Sequence, residues 1–145
     1  MAGFEIIADI SDRPARMLPT SSFTGAVGDL IELTAGSATW AACTSTSNYF
    51  SRKAIVMEAT TSAANVLAIE LTGNELVKAE SANNGAAADN GDRMVLTDSN
   101  AVNNTGTDNT SQTAAFLQVR FAGAAADKRI VGYVIVGPGV DPDAT

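Results

Sequence analysis

The chain contains no histidine and a single cysteine. Without histidine it lacks the usual general base near neutral pH and the commonest metal ligand. Cys43 lies in Trp40-Ala41-Ala42-Cys43-Thr44, among small and apolar neighbours, with no basic side chain beside it. A lone cysteine cannot form a disulfide within the chain. In this setting it reads as a buried structural thiol, since a nucleophilic thiolate needs a cationic neighbour. Neither a Gly-x-Ser-x-Gly elbow nor a Gly-x-x-x-x-Gly-Lys phosphate loop occurs. The carboxylates fall mainly in loops and at strand ends, so none is nominated as half of a hydrolytic pair. The sequence therefore predicts no catalytic residues, no cofactor and no enzyme activity.

Two groups of residues retain binding chemistry. Asp89-Asn90-Gly91-Asp92 and Asp98-Ser99-Asn100 carry hard oxygens of the kind calcium takes. Neither has EF-hand spacing, and Asp, Asn and Gly are also what turns are made of, so no metal site is expected. Trp40, Tyr49 and Phe50 could stack on a sugar ring, although aromatic side chains in a β-domain of this size usually build the core. The formal net charge is −7, from 9 basic and 16 acidic residues. Such a chain is a poor match for nucleic acid, whose affinity comes from phosphate neutralisation, and for anionic membrane surfaces. No apolar run approaches the ~18 residues of a membrane span. The first ten residues include Glu5 and Asp9 and no basic stretch, unlike a secretory signal.

What positions these residues is a succession of short strands. The chain has 145 residues, enough for one domain with its own core. Residues 1–26 read as an extended N-terminal arm, with a strand-like Phe4–Ile10 followed by Arg13-Pro14 and Leu18-Pro19, where proline forbids helix. Residues 27–137 read as a β-barrel or β-sandwich, and 138–145 as a C-terminal tail. Strands are expected at 29–33, 39–41, 53–58, 66–71, 75–78, 93–96, 116–121 and 130–136, with a hairpin turn at Thr72-Gly73-Asn74 joining 66–71 to 75–78. Thr60–Asn65, Ser81–Asn90 and Asp98–Thr113 read as loops, and alanine in Ser81–Asp89 or in Ala122–Asp127 permits a short helical turn. The prediction is thus an all-β, single-domain fold.

The sequence Gly28-Asp29-Leu30-Ile31-Glu32-Leu33-Thr34 returns as Gly91-Asp92-Arg93-Met94-Val95-Leu96-Thr97, sharing Gly-Asp-x-x-x-Leu-Thr. Duplication and two ordinary turn-to-strand entries both produce such a pattern, because Gly supplies positive φ and Asp bonds nearby backbone. With Ala54–Glu58, the small-residue stretch Ala59–Ala64, Val66–Ile69 and the closing Val131-Gly132-Tyr133-Val134, it resembles the head-decoration (cement) proteins of tailed bacteriophages over residues 27–136. That resemblance implies a compact β-protein on the outside of an assembled capsid, trimeric and bridging major capsid protein subunits. It places the chain in the virion, with a homotrimer and the major capsid protein as partners. Phe4, Ile6, Ile7, Ile10, Met17, Leu18 and Phe23 are then the candidate capsid-binding residues, because an extended segment can join another protein's sheet edge. A carbohydrate-binding or adhesin-like module centred on Trp40 or Tyr49 is the alternative.

Overall fold

The computed structural model describes residues 3–8, 13–107, 113–121 and 127–139. These residues form an all-β, single-domain fold of two sheets. The strands are β1 (Phe4–Ala8), β2 (Arg16–Gly25), β3 (Leu30–Leu33), β4 (Trp40–Ala42), β5 (Lys53–Val56) and β6 (Thr60–Glu70). They continue as β7 (Leu76–Glu80), β8 (Arg93–Asp98), β9 (Ala101–Thr107), β10 (Phe116–Arg120) and β11 (Arg129–Val134). Strands β2-β4-β3-β5-β6 close into a barrel, and β1-β7-β11-β10-β8-β9 form a six-stranded sheet. Among the described residues the strand pairings are antiparallel except the short contact of β2 with β4 at Thr20 and Trp40, and outside the ladders Ser81 bridges Val102 in parallel.

Two apolar clusters explain why barrel and sheet fold as one unit. The barrel interior holds Leu18, Phe23, Ile31, Trp40, Val56 and Val66. A second cluster lies between barrel and sheet: Leu30, Ile55 and Leu71 meet Phe4, Val77, Met94, Phe116 and Ile130. Adjacent residues on β3 and β5 therefore enter different clusters, Leu30 beside Ile31 and Ile55 beside Val56. A strand buried on both faces needs apolar residues at every position, which is why Ala54-Ile55-Val56 shows no polar alternation. Burial of large side chains on this scale stabilises by about 1.5–3 kcal/mol each.

The expected N-terminal arm is built into the domain. β1 pairs with β7, with Phe4 opposite Ala79, and β2 pairs with β6 from Arg16 opposite Ala68 to Gly25 opposite Thr60. Segments carrying Phe4, Leu18 and Phe23 bury more apolar surface inside their own fold than a free arm would. The expected hairpin at Thr72-Gly73-Asn74 is instead the crossing from barrel to sheet, because β6 pairs within the barrel and β7 pairs with β1 and β11. Two expected loops are strands. Thr60–Asn65 is the first half of β6, because barrel closure requires a long partner for β2. Within Asp98–Thr113, residues Ala101–Thr107 form β9, an edge strand with Val102 opposite Leu96. Its polar residues are usable because Asn104 is buried and bonds the backbone oxygens of Asn83 (3.0 Å) and Asn84 (3.1 Å). Of the expected tail, Pro138 and Gly139 are described, and Gly139 N–H donates to Phe50 O at 2.8 Å.

The repeated Gly-Asp pairs do share a conformation. Gly28 has φ 95° and Gly91 has φ 91°, each just before a strand. Asp29 Oδ2 accepts the Ala26 N–H at 3.0 Å, a local turn bond. The short helical turn foreseen in Ser81–Asp89 is a 3₁₀ turn at Ala87–Asp89, and residues 122–126 of the other candidate stretch lie outside the described residues.

Candidate partner-binding surface

Strand alternation sorts the residues nominated from sequence into two sets. Phe4, Leu18 and Phe23 point inward, 1%, 4% and 7% exposed, and belong to the core. Ile7 and Met17 point outward at 38% and 56% exposure, and Ile6 is half-buried at the rim of the inter-sheet cluster. Ile10 lies outside the described residues. Sequence reasoning missed Val27 and Met57, which are exposed to a similar degree as Ile7. Their signal was weak, since Val27 sits within a turn and Met57 ends the apolar run Ala54–Met57, where sequence does not show which residue faces out.

Of these residues, Ile6, Met17, Val27 and Met57 line the first or third of three neighbouring depressions. The first, about 320 Å³, lies between β1 and the barrel and is lined by Ile6, Val27, Met57, Ile69, Glu5 and Arg13 among others. The second, about 210 Å³, is formed by Arg13, Pro14, Arg16 and Glu70. The third, about 370 Å³, runs past Arg16, Met17, Leu33, Trp40 and Arg52. Arg13 lines the first and second, and Arg16 the second and third, so the three lie side by side along the N-terminal strands, together called the trough. Its first part adjoins β1, an edge strand of the six-stranded sheet. On that edge the Phe4 N–H is taken by Gly28 O at 2.8 Å.

The middle of the trough is electrostatic, and the register explains why. β2 and β5 flank β6, which places Arg16 and Arg52 on either side of Glu70 at the end of β6. Arg52 donates from Nε to Glu70 Oε2 and from Nη2 to Oε1, both at 2.8 Å. Arg16 Nη2 donates to Oε1 at 2.6 Å. Arg13 donates to the Glu70 backbone oxygen and stands 3.6 Å from the buried Glu75 carboxylate. The hydrogen bond from Arg52 outweighs desolvation and holds the Glu70 carboxyl below its ordinary pKa. The Arg52 guanidinium also lies over the Trp40 ring, 5.8 Å from its centroid.

The other nominated groups have structural partners. Trp40 and Phe50 are buried, at 4% and 8%, and Tyr49 meets Phe50 edge-on at 5.3 Å. Tyr49 alone of the three exposes substantial ring surface, whereas a sugar-stacking platform uses an open ring face. Asp98 Oδ1 accepts the Asn100 N–H at 2.9 Å, again a turn bond. Burial raises the Cys43 thiol pKa far above its ordinary value. Lys53 is fully buried, and its ammonium donates to the backbone oxygens of Asn48, Ser51 and Ile135, tying the barrel to the exit of β11. Desolvation lowers its pKa.

Fold and surface define an all-β protein, a closed barrel under a covering sheet, with one partly apolar, partly arginine-lined trough. No protein-family model, curated protein or solved structure matches the chain.

Proposed function

We propose that this chain is a non-enzymatic capsid decoration protein, acting as a trimer on the outside of a phage head and bridging major capsid protein subunits. The sequence resemblance over residues 27–136 supplies the class. The observation that carries a docking role is the row of neighbouring depressions beside the β1 edge, lined by the half-buried Ile6 and the exposed Met17, Val27 and Met57. An apolar groove flanked by a sheet edge suits an extended segment, whose alternate side chains the groove takes. Methionine, tryptophan and arginine, all present along this trough, are enriched in protein interfaces. In this reading the inward residues Phe4, Leu18 and Phe23 hold the strands, while Ile6, Ile7 and Met17 meet the capsid.

Density-gradient purification of virions from the source, followed by quantitative mass spectrometry, tests the proposal. Decoration predicts a fixed ratio near one-to-one with the major capsid protein in full heads. A few copies per particle would instead indicate a fibre or tail component, and none would refute a virion role.

A further inference from the structure

Three of the chain's nine basic residues, Arg13, Arg16 and Arg52, border the trough of a protein whose formal net charge is −7. The depression beside Met17 is lined by two of them and by no carboxylate. Glu70 engages Arg52 through Nε and Nη2 and Arg16 through Nη2. A guanidinium has five N–H donors in a fixed fork, so both arginines keep donors for a second acceptor. Glu70 also fixes their orientation, so less side-chain freedom remains to be lost when that acceptor arrives. Beside them Met17, 56% exposed, and Leu33 offer apolar contact.

We propose that this trough takes an extended acidic segment of a partner protein, with carboxylates on Arg16 and Arg52 and an apolar side chain against Met17 and Leu33. This rests on the docking reading above and adds the partner's chemistry. Charge and apolarity together select the occupant: the arginine-lined depression attracts an anionic group, and Met17 and Leu33 beside it suit an apolar side chain, which a peptide carries and a polyphosphate lacks.

Trp40, the chain's single tryptophan, lines the same depression and reports occupancy by fluorescence. The probe is the peptide acetyl-Asp-Leu-Asp-Leu-amide, with the Asn-for-Asp peptide as neutral control. A saturable change is expected with the acidic peptide, weakening as salt shortens the Debye length from about 10 Å at 0.1 M to about 3 Å at 1 M. Arg16 has a 60% exposed side chain, so Arg16→Glu should fold normally and bind at least about tenfold more weakly. Arg16→Gln, a milder change, should weaken binding in the same direction. No saturable change at millimolar peptide, or equal binding by the neutral peptide or by the folded variants, overturns the assignment. Capture on purified heads separates the two readings. Heads that bind wild type and Arg16→Glu equally refute the acidic partner and leave decoration standing. Acidic-peptide binding without capture by heads does the reverse.

Discussion

Met17 and Leu18 are adjacent on β2, and the fold assigns them opposite duties. Leu18 is 4% exposed in the barrel interior, and Met17 is 56% exposed on the trough. Leu18→Ala deletes buried volume where the closed barrel cannot easily collapse. It should cost about 2–5 kcal/mol. For a chain of this size that is a Tm decrease of roughly 5–15 °C. Met17→Ala removes a side chain already about half in water, so Tm should move by less than about 2 °C. Its effect belongs to docking. A fully buried methionine is worth ~1.5–3 kcal/mol, and about half of that remains to be gained when a partner covers it. Docking should therefore weaken roughly four- to thirteenfold, since 1.4 kcal/mol is about tenfold in affinity. Thermal denaturation by circular dichroism and co-sedimentation with purified heads measure the two quantities. A Tm loss for Met17→Ala as large as that for Leu18→Ala would refute the β2 register. Unchanged co-sedimentation of a folded Met17→Ala would remove Met17 from the interface. Deleting residues 1–22 is not an equivalent test, because it removes β1 and most of β2 and would unfold the barrel.

Three further outcomes follow from the same structure. Glu70→Gln should destabilise by about 1 kcal/mol at neutral pH. Because the folded Glu70 pKa is lowered, its contribution is full above the free value of 4.5 and lost as pH falls through the folded value. Acid denaturation should consequently be less steep in Glu70→Gln than in wild type. Lys53→Met removes the ammonium donor from the oxygens of Asn48, Ser51 and Ile135. Ser51 O keeps the Gly137 N–H and Asn48 O the Ser51 hydroxyl, so the loss falls mainly on Ile135 O and should cost about 1–3 kcal/mol in urea unfolding. Its lowered pKa means folding releases a proton between the folded value and 10.5, so wild-type stability rises with pH across that window. Lys53→Met should lack that rise. Gly132→Ala would place a Cβ 1.9 Å from Leu117 O, between strands that cannot separate, and should cost at least about 3 kcal/mol by the same assay.

The all-β class was legible because its signals are local: short apolar runs, proline before residue 26, and Gly or Asn at turns. The Gly28 and Gly91 turns were legible for the same reason, as backbone conformation there depends on the glycine itself. β9 and the first half of β6 were not. Their threonines, serines and asparagines resemble loop, and become strand because a neighbour supplies hydrogen bonds and, at Asn104, buried partners. The candidate surface was half legible. Sequence nominated the apolar residues of the first 23 positions as a set, whereas period-two geometry divides them between core and surface once the register is fixed.

By itself, then, the sequence determined composition, charge, turn positions and the lack of histidine chemistry, since each is a property of single residues or near neighbours. Only the tertiary structure decided that the N-terminal strands belong to the domain, and that Arg13, Arg16 and Arg52 gather at Glu70. Residues 13 and 70 are 57 positions apart. Their meeting depends on which strands share an edge, and strand order is set by the burial of both faces of the barrel wall rather than by any local preference.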